Sequence, residues 1–243
     1  LRNTSTNLSA GVYNEGTFVN AGEIEVYGDK GIGVYSKGAA TDTTLSNKIT
    51  VSGDGSIALF SDGTASSKFK IGALALNVSG DDSYAFYAKN SGGYNITGAA
   101  TVNVGAGSIG FQYVGSGLNT SVNPADITNM FNAGGGTLTF NLDPNSYAMV
   151  IQNAKINISD LGTFTAIMPS HVVMAGSDKA KVYKGHLEID EDSNIDSGAV
   201  TNVKYRDLLV SSSRITLSSG KTITGTEAAL IGIAQENDNI AGI

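Results

Sequence analysis

The stretch Gly22 to Gly38 reads GEIEVYGDKGIGVYSKG and holds the pattern that decides the fold. Apolar and polar residues alternate in Ile24-Glu25-Val26, which predicts a strand with one buried face. Gly28-Asp29 predicts a turn, because Gly adopts positive φ and Asp bonds to nearby backbone. A second apolar run, Gly31 to Tyr35, follows directly. The stretch therefore predicts two short strands joined by a tight turn.

The second run is one copy of a five-residue unit that recurs along the chain. Its first place is small, its third is Gly or Ala, and its fourth is apolar. Successive copies start 22, 25, 27, 25 and 38 residues apart. The copies are Ser9 to Tyr13, Gly31 to Tyr35, Ser56 to Phe60, Ser83 to Tyr87, Ser108 to Gln112 and Ser146 to Val150, with a degenerate seventh at Glu227 to Ile231.

The alternating strand recurs as well, one copy before most of the five-residue units. The copies are Ile24 to Val26, Ile49 to Val51, Leu76 to Val78, Val102 to Val104 and Leu138 to Leu142. A propeller blade needs about 40 residues, and the leucine-rich frame is missing. The pattern predicts an all-β fold, a right-handed parallel β-helix of roughly 25 residues per coil. Weaker third strands are predicted at Thr17 to Val19 and Tyr94 to Ile96.

Stacked coils bring equivalent apolar side chains together, because neighbouring strands lie about 4.8 Å apart. Two internal columns are predicted. The first holds Ile24, Ile49, Leu76, Val102 and Leu138, and the second holds Val34, Leu59, Phe86, Phe111 and Met149.

The whole chain, residues 1–243, is predicted to be a single β-helix fragment of a longer protein. The 38-residue spacing predicts a loop insertion at 115–136, because solenoids accept insertions on one face. No segment shows a convincing helical stripe. Residues 163–207 keep strand-like alternation without the motif and are predicted to form irregular coils.

The run Gly22 to Gly38 and its echoes at Lys48 to Gly63 and Ala75 to Asn90 resemble the passenger repeats of large type V secreted autotransporter adhesins. The resemblance covers about residues 9–160. It implies a protein on the cell surface, anchored to the outer membrane through a C-terminal barrel outside this sequence. It carries no binding residue over to this chain, because the matching repeats are structural.

Composition removes several classes of function. The net charge is −7 and cations are not clustered, which argues against nucleic acid as a partner. No apolar run of about 18 residues occurs, so direct membrane insertion is not expected. The chain has no Cys, which excludes disulfides and thiolate metal sites. No cofactor is predicted.

Aromatic residues at the fifth place of the unit are the first candidate ligand-binding residues: Tyr13, Tyr35, Phe60 and Tyr87. If the second and fourth places point inward, alternation sends the fifth outward, where a row of rings could bind a glycan or protein. In the alternative interpretation a bend turns the rings into the core, since exposing Phe60 is costly.

The insertion supplies the second set of candidates: Tyr113, Asn119, Met130 and Phe131. Loops on a rigid scaffold commonly carry recognition. The alternative is that the insertion is a neutral decoration.

Catalytic and metal chemistry is weakly indicated. His171 and His186 are the only histidines, and no Gly-x-Ser-x-Gly elbow occurs. The carboxylates between Asp190 and Asp196 fit a solvated turn better than a calcium loop, because the required Gly and Glu are missing. No metal site and no enzymatic activity are predicted.

The sequence therefore predicts an adhesin or structural module that presents binding loops to a protein or glycan on host or bacterial cells. The alternative is a polysaccharide-cleaving β-helix enzyme, which needs two facing carboxyl groups. Self-association through open strand edges is a third possibility.

Overall fold

The computed structural model describes residues 2–3, 9–20, 22–38, 42–63, 69–90, 92–157, 159–160, 167–177, 179–194, 209–211, 214–224 and 233–234. Within these ranges the chain forms 24 strands and one helix, and every strand pairing is parallel. The proposed seventh copy of the unit, Glu227 to Ile231, lies outside the described residues.

Two large sheets contain most of the strands. The ten-stranded sheet contains β1 (Arg2–Asn3), β3 (Thr17–Asn20), β4 (Ile24–Tyr27), β6 (Asp42–Ser52), β8 (Phe69–Ser79), β10 (Tyr94–Ile96), β11 (Ala99–Val104), β13 (Phe131–Ala133), β14 (Thr137–Leu142) and β17 (Val172–Ala175). The nine-stranded sheet contains β2 (Ser9–Asn14), β5 (Gly31–Lys37), β7 (Ile57–Gly63), β9 (Tyr84–Asn90), β12 (Ile109–Val114), β15 (Tyr147–Gln152), β18 (Ala180–Tyr183), β21 (Leu209–Ser211) and β24 (Ile233–Ala234).

Two smaller sheets and a helix complete the described elements. The three-stranded sheet contains β16 (Lys155–Asn157), β19 (His186–Ile189) and β22 (Arg214–Leu217), the two-stranded sheet contains β20 (Ser193–Asn194) and β23 (Ile223–Thr224), and the helix is α1 (Pro124–Met130).

The order of strands explains the sequence repeat. Along the chain, an alternating strand joins the ten-stranded sheet and the next five-residue unit joins the nine-stranded sheet. Each strand of the nine-stranded sheet pairs with the equivalent strand one repeat later, from β2 through β24. The predicted third strands exist as β3 and β10, which pair with the first residues of the long strands β6 and β8.

The second predicted column is confirmed along its whole length, because Val34 pairs with Leu59, and Phe86, Phe111 and Met149 follow in register. The first column is confirmed from Ile24 through Ile49 and Leu76 to Val102.

The last member of the first column was predicted wrongly. Val102 pairs with Phe140, and Leu138 pairs with Ala100 instead. Leu138 and Phe140 alternate to the same face, so apolar pattern alone does not distinguish them. In the structure, Asn141 donates to Asn103 at 2.9 Å, a side-chain bond consistent with this register.

One continuous core joins the two large sheets and the three-stranded sheet. Its centre holds five aromatic rings with centroid separations of 4.7–6.3 Å: Phe86, Tyr94, Phe111, Phe131 and Phe140. Strands continue within the region where the motif is lost, since β17, β18 and β19 pair in parallel with β14, β15 and β16. These three strands therefore follow the same pairing scheme as the regular repeats.

The small residue at the first place of the unit links successive repeats. Ser83 is fully buried, and its hydroxyl donates to the Gly53 carbonyl at 2.7 Å. The Ser83 hydroxyl oxygen also accepts from the Ser56 amide at 3.0 Å. Ser56 makes the equivalent pair of bonds, donating to the Gly28 carbonyl and accepting from the Gly31 amide. A serine here satisfies two backbone groups of the preceding repeat.

We expect Ser83→Ala to lower the free energy of unfolding by about 1–3 kcal/mol, because it leaves a part-buried carbonyl and a buried amide without their partner. Urea denaturation measures the change. Ser79→Ala, at an exposed serine of β8, is the control and is expected to cost less than about 0.5 kcal/mol. Equal losses for the two variants would contradict the linking role of Ser83.

Candidate functional site

The fifth-place aromatic residues form a continuous column across β2, β5, β7 and β9. Ring centroids are 5.2 Å apart for Tyr13 and Tyr35, 4.5 Å for Tyr35 and Phe60, and 5.0 Å for Phe60 and Tyr87. The central pair is stacked face to face with an interplanar angle of 7°. Each ring therefore contacts the next, face to face for Tyr35 and Phe60 and edge to face for the other two pairs.

The column belongs to a second apolar cluster, separate from the main core. It packs beside the second-place residues of the unit, such as Ile32, Ile57 and Tyr84. Exposure falls from 52% at Tyr13 to 0% at Phe60. Tyr35 and Tyr87 are half-buried, so the rings lie outside the main core, and Tyr13 alone among the four is exposed.

The fifth-place rings lie outside the main core because the alternation of side chains breaks at the third place of the unit. The strand register passes from Ile32–Ile57 to Val34–Leu59 and omits the pair Gly33–Ala58. The break puts the second and fifth places on one face, while the third and fourth places line the main core. Strict alternation, on which the sequence interpretation depended, fails at this residue.

Carboxylates hold the tyrosine hydroxyls at one end of the column. The Tyr35 hydroxyl donates to Asp62 Oδ2 at 3.0 Å, and Asn90 Nδ2 donates to Asp62 Oδ1 at 2.5 Å. Burial together with the bond to Asp62 raises the pKa of Tyr35 to about 12. The bond from Tyr13 to Glu15, 2.6 Å long, likewise raises the pKa of Tyr13. These hydroxyls act as neutral donors within the fold.

The insertion is more ordered than the sequence predicts. Helix α1 begins after Asn123, whose side chain accepts from the Ala125 amide at 3.0 Å. The buried Tyr113 hydroxyl accepts from the Asn123 amide at 3.0 Å and donates to Asp126 at 3.1 Å. Burial of its ring raises the pKa of Tyr113. With Ile127 in the core, the helix is fixed against the repeats.

The four candidate residues of the insertion differ in accessibility. Tyr113 and Phe131 are buried and Met130 is half-buried, so these three side chains offer little surface to a ligand. Asn119 is exposed, and its Oδ1 accepts from Arg214 at 2.9 Å. The exposed surface of the insertion also includes Ser116, Thr120, Ser121, Pro124, Ala125 and Thr128. Of the four candidates in the insertion, Asn119 alone is exposed to solvent.

Both histidines bind backbone carbonyls of the insertion. His171 Nε2 lies 2.7 Å from the Phe131 carbonyl oxygen, and His186 Nδ1 lies 2.9 Å from that of Leu118. The other nitrogen of His186 contacts Thr216 Oγ1 at 2.6 Å. These bonds tie the insertion to later repeats.

The acidic segment near residue 190 caps turns. Asp190 accepts from the Ser159 amide and hydroxyl, and Asp192 accepts from the Thr222 amide and hydroxyl. The Thr222 amide bond is the main cause that lowers the pKa of Asp192. Within the described ranges no three His, Asp or Glu side chains group to hold a metal ion, and Asp196 lies outside these ranges.

A row of asparagines crosses the outer face of the ten-stranded sheet and was missed by the sequence analysis. Asn103 Nδ2 donates to Asn77 Oδ1 at 2.8 Å, and Asn141 Nδ2 donates to Asn103 Oδ1 at 2.9 Å. A groove of about 360 Å³ runs beside this row, with Ser79, Gly105 and Asp143 on its other side. The sequence does contain a sign of this row, an Asn at the centre of three successive alternating strands. It is easily overlooked, because a polar residue is expected at that place in any alternating strand.

These elements define an all-β protein built from parallel sheets. Comparisons with protein-family models, with curated proteins and with solved structures gave no match. In the part of the chain that the structure describes, no helix has the length and apolar character needed to cross a membrane.

Proposed function

We propose that the chain is a right-handed parallel β-helix that serves as a cell-surface adhesin module and displays its insertion at 115–136 to a partner. The strand order supports the fold, because each repeat adds one strand to each large sheet in turn. The fixed insertion carries the functional proposal. It presents exposed polar side chains while Ile127 and Tyr113 hold it in place.

A preformed surface suits recognition, since ordering a flexible loop on binding costs free energy. The partner is a protein or glycan on host or bacterial cells. The resemblance of the repeats to autotransporter adhesin passengers supports this assignment and the location outside the cell.

The test changes the exposed surface and leaves the core intact, because replacing the whole insertion would remove the buried Ile127 and Phe131. We expect Thr120→Lys combined with Ala125→Lys to reduce adhesion of chain-coated beads to epithelial or bacterial cells by about tenfold or more, as charge introduced at an interface opposes binding. Bound beads are counted by microscopy.

Thr17→Lys combined with Ala73→Lys is the matched control, since both residues are exposed and lie on β3 and β8, whose paired strands are outside 115–136. The control variant should adhere like the parent chain, and both variants should keep its thermal midpoint. Adhesion that survives the substitutions at 120 and 125 would remove the insertion from the proposal.

A further inference from the structure

The groove beside the asparagine row has a directional set of hydrogen-bonding groups. Because each amide donates toward the preceding strand, Asn77 Nδ2 ends the row at one side and Asn141 Oδ1 ends it at the other. The residue that pairs with Asn141 on the next strand is Ala175, which has no polar side chain to continue the row. The row therefore has a donor end and an acceptor end.

The acceptor end also holds the carboxylate of the groove. Asp143 Oδ1 accepts from the Asn145 amide at 2.8 Å, and among the described residues its second oxygen has no partner. Asn141 and Asp143 both line the same groove. None of the nine lining residues is basic or aromatic. The charge of the groove thus favours a cationic group at this end and disfavours an anionic ligand.

The shape of the groove follows from the sheet. Gly105 lies between Ser79 and Asp143 and has no side chain, so the floor of the groove at this position is backbone. Neighbouring strands are about 4.8 Å apart, a distance comparable to the length of one pyranose ring. A linear sugar chain lying across β8, β11 and β14 would place one ring over each strand. Without aromatic side chains, its hydroxyl groups would be held by the amides, Ser79 and Asp143.

We propose that this groove binds a short stretch of a linear, β-linked amino sugar polymer, with an ammonium group between Asn141 and Asp143. This site is separate from the insertion and does not depend on the proposed adhesin function. The unpaired carboxylate oxygen beside the acceptor end of the amide row selects the amine.

The experiment titrates the chain with three hexamers by isothermal calorimetry: β-1,4-linked glucosamine, β-1,4-linked N-acetylglucosamine, and a heparin hexasaccharide. We expect the glucosamine hexamer to bind with a Kd at or below about 1 mM. We expect it to bind more tightly than the acetylated hexamer, and the heparin fragment not to bind.

Asp143→Asn keeps the oxygen that caps Asn145 and removes the charge, so the fold is retained. Loss of one charged hydrogen bond should weaken binding of the glucosamine hexamer by about tenfold and leave the acetylated hexamer unchanged. Glu25→Gln is the matched control, because Glu25 lies on the same strand face, outside the groove, and loses the same charge. It should bind as the parent chain does.

Several results would overturn the proposal. The first is no binding of the glucosamine hexamer, and the second is equal affinity for the glucosamine and N-acetylglucosamine hexamers. The others are binding of the heparin fragment and equal weakening by Asp143→Asn and Glu25→Gln. The variant with lysines at 120 and 125 should still bind the glucosamine hexamer, so failure of the adhesin proposal and failure of this site are separate outcomes.

Discussion

Phe86→Ala is expected to lower the free energy of unfolding by about 3–5 kcal/mol, the cost of removing a large aromatic side chain from a packed core. Phe86 has no exposed surface and lies in register between Leu59 and Phe111. Its ring centroid is 4.7 Å from that of Tyr94 and 5.5 Å from that of Phe140. The substitution removes apolar burial and these ring contacts together, so the loss should fall at the upper end of the range.

Urea denaturation followed by circular dichroism measures this loss. Tyr13→Ala is the control, because Tyr13 ends the neighbouring aromatic column and is 52% exposed. It also contacts one ring of the column, Tyr35, so we expect a cost of about 1 kcal/mol or less. A loss under about 1.5 kcal/mol for Phe86→Ala would mean that the aromatic centre is not packed as described.

Gly53→Ala is expected to lower the free energy of unfolding by roughly 3 kcal/mol, because backbone strain and a steric clash act at one turn. Gly53 has φ +129°, in a region that side chains strain to adopt. A Cβ atom there would lie 2.3 Å from the carbonyl oxygen of Gly28, the equivalent turn residue of the preceding repeat. That neighbour is backbone, so relief requires the stacked turns to separate.

Two further glycines separate the penalties. Gly38 has φ +107° with open space around its Cβ position, so Gly38→Ala tests the backbone conformation alone and should cost about 1–2 kcal/mol. Gly16 has open space without positive φ, so Gly16→Ala should change the free energy of unfolding by less than about 0.5 kcal/mol. If Gly53→Ala is no worse than Gly38→Ala in urea denaturation, close stacking of the turns is refuted.

The two proposed binding surfaces use the same scaffold differently. The insertion depends on side chains that a short helix presents, with Tyr113 and Ile127 as its anchors. The groove depends on side chains that three strands bring into one row, although Asn77 and Asn141 are 64 positions apart in the sequence. Rigid pairing between repeats is the condition for both.

Alternation and repeat spacing were sufficient to predict the strands, their parallel stacking and the column from Val34 to Met149. These features depend on local rules, since alternating side chains and Gly-Asp turns act within a few residues. The positions of the turns and the existence of the insertion follow from the same spacing. The buried serines were visible as small residues, but their bonds to the preceding repeat were not.

Tertiary structure decided the features that depend on contacts between distant residues. The break in alternation at Gly33 sets the face of the aromatic column, and Phe140 rather than Leu138 continues the first column. Burial of Ile127 turned part of a predicted loop into a helix. Because a shift of register or a local break exchanges the faces of a strand at little local cost, only the packing of the neighbouring repeats fixes which side chains reach the surface.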